Sequence, residues 1–73
     1  MKLRMLAKDG DSQHGSCPSV YVADSGELVV QGQQVDGQTW AEITDPLPGE
    51  IAVRIAPEIV LDAADKYRAT QGQ

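Results

Sequence analysis

Hydrophobic and polar positions alternate at the start of the chain. Met1, Leu3, Met5 and Ala7 share one side, and Lys2, Arg4 and Lys8 share the other with Leu6. A period of two over this length predicts a half-buried strand. Asp9–Ser16 (DGDSQHGS) is polar, contains glycine and shows no period, which predicts a loop. Ser19–Asp24 (SVYVAD) is β-branched and aromatic, with Val20 and Val22 on one face and Tyr21 and Ala23 on the other. Leu28–Val35 follows after Asp24-Ser25-Gly26-Glu27, a connection whose Asp and Gly predict a hairpin. Gly32 inside that second strand suits a bulge or the close approach of another backbone.

Asp36–Asp45 (DGQTWAEITD) supports two readings. Asp36-Gly37 fits a two-residue hairpin turn. Thr39 with Glu42 has capping-box spacing, and Asp45-Pro46 would stop a short helix, so one or two helical turns are favoured. Leu47-Pro48-Gly49 reads as a turn. Glu50–Ala56 (EIAVRIA) alternates cleanly, with Ile51, Val53 and Ile55 on one side, and predicts a strand. Pro57 fits the first position of a helix, since its missing N–H is not needed there. Ile59, Val60, Ala63, Ala64 and Tyr67 then share one helical face, and the helix should end near Ala69, with residues 70–73 a frayed tail. Glu58 and Asp62 early and Lys66 and Arg68 late match the helix dipole, and Asp62 is placed to pair with Lys66.

These elements predict a single small α+β domain over residues 1–73. A three- to four-stranded, mostly antiparallel sheet packs against one C-terminal helix. The chain has 73 residues, of which 41% are hydrophobic and none is Phe. Its core must therefore be thin, and a partner or second copy is an expected source of stability.

Charge changes the picture more than size does. The net charge is −5, but the first eight residues carry three cations and no anion. All eleven acidic residues lie between Asp9 and Asp65, where Arg54 is the one Lys or Arg. Such a middle disfavours nucleic acid as a direct partner, because phosphate binding needs clustered Lys and Arg. It reads either as a solvated acidic surface or as a surface complementary to a basic protein. No apolar run approaches the roughly 18 residues of a membrane span, and Met1–Lys8 has no secretory h-region. With one cysteine and no internal disulfide framework, the expected compartment is the cytoplasm.

Candidate chemistry is sparse. His14 is the one histidine, and His14-Gly15-Ser16-Cys17 places two soft-metal ligands three apart. A structural zinc site needs four N/S ligands, so the site would need Asp9 and Asp11 or a second subunit, and no metal is expected. Asp9-Gly-Asp-Ser-Gln echoes a calcium loop, but its sixth position is His14 and its twelfth Val20, where Gly and Glu are required. Cys17 has only His14 near it to lower its pKa, and reads as a small buried side chain. The glycines carry no phosphate-loop spacing. Trp40 reads as core, filling the place of the missing Phe. If exposed, it is the strongest interface anchor in the chain, with Tyr21 the second.

The stretch Cys17-Pro18-Ser19-Val20-Tyr21-Val22-Ala23-Asp24, followed by Glu27-Leu28-Val29-Val30-Gln31-Gly32 and Val35, resembles a group of short uncharacterised actinobacterial proteins. They share a Cys-Pro pair, an extended run, a turn, a strand ending Val-Val-Gln-Gly, and then Pro-rich and strand segments. The resemblance covers roughly Cys17 to Val60. Members of the group tend to be encoded near helix-turn-helix regulators, which implies an accessory role in regulation and supplies no active site.

The expectation is a non-enzymatic, acidic interaction module without a cofactor. Its partner would be another protein, a basic helix-turn-helix regulator being the leading class, with no membrane and no direct nucleic-acid contact. The contact residues would be Asp9, Asp11, His14, Cys17, Tyr21 and Trp40. Two alternatives stand beside it. One is a self-associating unit, a homodimer in which an open sheet edge or the Ile59 helix face completes the core. The other is a small-ligand or metal-binding domain using His14 and Cys17.

Overall fold

The computed structural model describes residues 1–10 and 18–71. The expected loop over Asp9–Ser16 thus falls, apart from Asp9 and Gly10, outside the described residues. Strands β1 (Leu3–Lys8), β2 (Ser19–Ala23) and β3 (Leu28–Gln31) form an antiparallel sheet in the order β1-β2-β3. The short β4 (Gln33–Gln34) and β5 (Val53–Arg54) pair antiparallel in a second sheet. Helix α1 spans Gly37–Trp40 and α2 spans Pro57–Gln71. The fold is a small α+β arrangement with a C-terminal helix, as the pattern predicts.

The β2–β3 hairpin forms at the expected place. Ala23 N–H donates to Glu27 O at 2.8 Å and Gly26 N–H to Ala23 O at 2.9 Å, with Gly26 at φ 93°. A residue with a Cβ is strained at that angle, which is why glycine occupies it. Ser25, rather than Asp24, supplies the turn's side-chain bond: its hydroxyl donates to the Glu27 carboxylate at 3.0 Å.

β1 departs from simple alternation. Its register on β2 runs Leu3↔Ala23, Arg4↔Val22, Met5↔Tyr21 and then Ala7↔Val20, so Leu6 is an extra residue in a bulge. A bulge sets two neighbouring residues against one partner and aims both to one side. Leu6 and Ala7 are accordingly both buried, whereas Leu3 and Met5 are nearly half exposed. The expectation that Leu6 sits with the cations and Met1, Leu3, Met5 and Ala7 line the interior is corrected by that single inserted residue.

The expected Leu28–Val35 strand is interrupted at Gly32. A Cβ there would lie 2.6 Å from the Arg54 carbonyl oxygen, the close backbone approach that the glycine suggested. The expected strand Glu50–Ala56 shrinks to Val53–Arg54. Its partner β4 offers only two residues, and the pairing continues just as far as Val35 N–H to Ala52 O at 3.1 Å. Without a partner, Ile51 stands 69% exposed despite its apolar alternation.

Pro57 opens α2 as expected, and the helix continues two residues beyond Ala69. Its face packs on β1 and β2, with Ala63 buried and Ile59 and Tyr67 half-buried. Val60 turns outward, 43% exposed, in contrast to its expected place on that face. Leu6, Ala7, Val20 and Ala63 form the core, edged by Val22, Ile55, Ile59 and Tyr67. Ile59 packs against this core within its own chain. Lys66 and Asp62 pair at 3.0 Å with both side chains more than half exposed, worth roughly 0.3 kcal/mol. Among the described residues no helix is long and apolar enough to cross a membrane.

Candidate functional site

Beyond Gly32 the chain leaves the three-stranded sheet and builds a cleft from β4, α1 and the turn before β5. Asp36 caps α1. Its backbone is extended (φ −75°, ψ 174°), and its Oδ1 accepts from Thr39 N–H at 2.8 Å. Thr39 is therefore the residue three past the cap, not the cap that its spacing to Glu42 suggested. The helical reading of this segment holds, and α1 ends at Trp40 with Ala41 as its C-cap. Asp45 then takes φ 49°, a left-handed angle that Asp tolerates better than most residues, and Pro46 follows.

The return leg is a second fixed turn. Pro48 and Gly49 (φ 88°) occupy the central positions of a type II turn closed by Glu50 N–H to Leu47 O at 3.0 Å. The Glu50 side chain reaches back, its Oε1 accepting from Leu47 N–H at 2.8 Å. Two local backbone bonds thus hold two carboxylates in place before any partner arrives.

Between these legs lies an open cleft of about 210 Å³, lined by Gln34, Val35, Asp36, Gly37, Trp40, Glu50 and Ile51. That is smaller than the roughly 300 Å³ at which small-molecule and cofactor sites begin, so it suits a single side chain. Trp40 is half-buried and outside the core cluster, which corrects its reading as core. One aromatic face, two apolar side chains and two anions meet in one concavity. Arg54, whose guanidinium donates to Gln33 Oε1 at 3.0 Å, is the nearby cation that bears on Asp36.

The Thr39 backbone N–H first, then the Thr39 side chain and Arg54, hold the Asp36 carboxyl below its ordinary 3.8. Because the folded value lies below the unfolded one, the cap contributes fully above pH 3.8 and is lost as pH falls through the folded value. Trp40 fluorescence is expected to stay constant from neutral pH down to that range and change only below it. Asp36→Asn, which keeps the accepting oxygen, should abolish that acid step.

Of the six expected contact residues, the three described ones, Asp9, Tyr21 and Trp40, do not converge. Asp11, His14 and Cys17 lie outside the described residues. Asp9 follows β1, its N–H donating to Pro18 O at 2.9 Å. Tyr21 sits on the sheet face away from α2, its hydroxyl donating to Gln31 Oε1 at 2.9 Å. Only Trp40 lines the cleft. Asp36, Glu50, Val35 and Ile51 were missed as site residues, although the Asp36 cap and the Leu47-Pro48-Gly49-Glu50 turn were legible signals. No group of three or more His, Cys, Asp or Glu is placed to hold a metal among the described residues. A second concavity of about 340 Å³, lined by Lys2, Leu3, Arg4, Val22, Ala23 and Asp24, mixes both signs of charge and has no aromatic face.

The chain matches no family model, no curated protein and no solved structure. What the cleft can bind is therefore read from its geometry and charge.

Proposed function

We infer that this chain is a non-enzymatic interaction module that docks a basic protein through the Trp40 cleft. The observation that carries the reading is the cleft's composition, an indole held beside two oriented carboxylates. An ammonium or guanidinium against an indole face gains a cation–π interaction, and the carboxylates add charge-assisted hydrogen bonds. Asp36 and Glu50 line the site, Glu42 and Asp45 lie between them in sequence, and no Lys or Arg falls between Lys8 and Arg54. Such a field speeds the approach of a cationic partner and repels an acidic one. The resemblance over Cys17 to Val60 implies a DNA-binding regulator as that partner.

The test is affinity capture from an extract of the protein's own source, identified by mass spectrometry. A near-stoichiometric basic DNA-binding protein is expected, released by about 0.5 M salt, where the screening length falls to a few ångströms. Trp40→Ala should weaken its capture at least about 30-fold, as loss of an interface anchor does. Equal capture by wild type and Trp40→Ala would remove the cleft from the account.

A further inference from the structure

The three-stranded sheet has two faces, and α2 covers only the one carrying Val20 and Val22. Register and alternation define the other. Leu3, Ala23 and Glu27 form its first row, Met5, Tyr21 and Val29 its second, and Lys8, Ser19 and Gln31 its third. Leu3 is 46% and Met5 48% exposed, Tyr21 and Val29 are half-buried, and the small Ala23 and Ser19 are buried between their larger neighbours, so the accessible apolar area is that of Leu3, Met5, Tyr21 and Val29. The centre of this face is apolar. Its two charges, Lys8 and Glu27, are of opposite sign and stand at diagonally opposite corners.

We propose that this face binds the same face of a second copy, forming a two-fold homodimer with Lys8 of each copy against Glu27 of the other. Self-complementarity is what a two-fold interface requires, since each patch must fit itself. A two-fold axis through the Tyr21 position, running across the Lys8–Glu27 diagonal, meets that requirement. It stacks the apolar centres, brings both unlike pairs together and crosses the strands steeply, one of the two known ways that sheets pack face to face. With the chain at −5, most surfaces of two copies repel, but this one carries balanced charge. Pairing through the open β1 edge is disfavoured, because it would bring Lys2, Arg4 and Lys8 of both copies onto one seam with no β1 anion to offset them. The Tyr21–Gln31 hydrogen bond fixes the central ring in advance, which lowers the ordering cost of association.

Sedimentation equilibrium between about 1 μM and 1 mM reads the monomer–dimer balance across the useful affinity range. The wild-type chain is expected to dimerise within it, and Met5→Asp to be monomeric with an unchanged circular dichroism spectrum. Lys8→Glu and Glu27→Lys should each weaken the dimer about tenfold, as disrupted interfacial charge pairs do, and their combination should restore it. A wild-type monomer at every concentration overturns the proposal. So does a dimer indifferent to Met5→Asp, or a double variant no tighter than the single ones. None of these outcomes bears on the Trp40 cleft, which lies on other elements.

Discussion

Replacing Gly32 by alanine is expected to destabilise the protein by about 1–3 kcal/mol, the usual cost of forcing an extra methyl into a filled space. Elsewhere a Gly→Ala change can stabilise, by reducing the freedom of the unfolded chain by about 0.4–1 kcal/mol. Here that gain is outweighed, because the new Cβ would lie 2.6 Å from the Arg54 carbonyl oxygen. The obstacle is backbone, so no rotamer change relieves it. Only separation of β3–β4 from β5 does, and that loosens the Gln33↔Arg54 pairing on which the cleft is built. Gly32→Ala should therefore impair partner binding without touching a cleft residue. Denaturant unfolding checks the stability loss, and amide hydrogen exchange at Gln33–Val35 checks its location. Unchanged protection there would show that the two backbones are not in close contact.

The second large effect concerns the β1 bulge. Leu6→Ala should cost about 2–4 kcal/mol, as for other buried leucines, while Met5→Ala should cost less than about 0.5 kcal/mol. Leu6 is 6% exposed and sits in the four-residue core, whereas the Met5 side chain is 48% exposed. A domain of this length has a total stability of only roughly 4–11 kcal/mol, so the Leu6 variant approaches unfolding. Urea titration repeated at two protein concentrations, so that any share from self-association shows as a concentration dependence, separates the two residues. Equal losses, or a larger loss at Met5, would mean that β1 follows plain alternation and that the bulge is absent.

These two residues also mark what the sequence makes legible and what it does not. Gly32 announced itself, because a glycine in a β-branched run has few other reasons to be there. The β2–β3 hairpin, the Pro57 helix start and the Asp62–Lys66 pair were legible for the same reason, each being set by residues close in sequence. The facing of β1 was not. A bulge of one residue reverses the period of two, and its position is decided by what α2 offers across the sheet. Nor was the shrinking of Glu50–Ala56 to two residues legible, since alternation records what a strand wants and pairing depends on the partner's length. The cleft falls between these cases. Trp40 was recognisable as an anchor, and Asp36 and Glu50 each take part in a local turn or cap signal, but their convergence needs the β4–β5 pairing to bring the two legs together.

The most direct test of the account is a titration with short Arg- and Lys-rich peptides, read by the fluorescence of Trp40, the chain's one tryptophan. A cation-binding cleft gives a saturable change in emission, weakened in high salt and reduced in Asp36→Asn, with no response to an acidic peptide of equal length. Emission unchanged by the basic peptide up to about 1 mM, or an equal response to the acidic one, would contradict a cation-binding cleft.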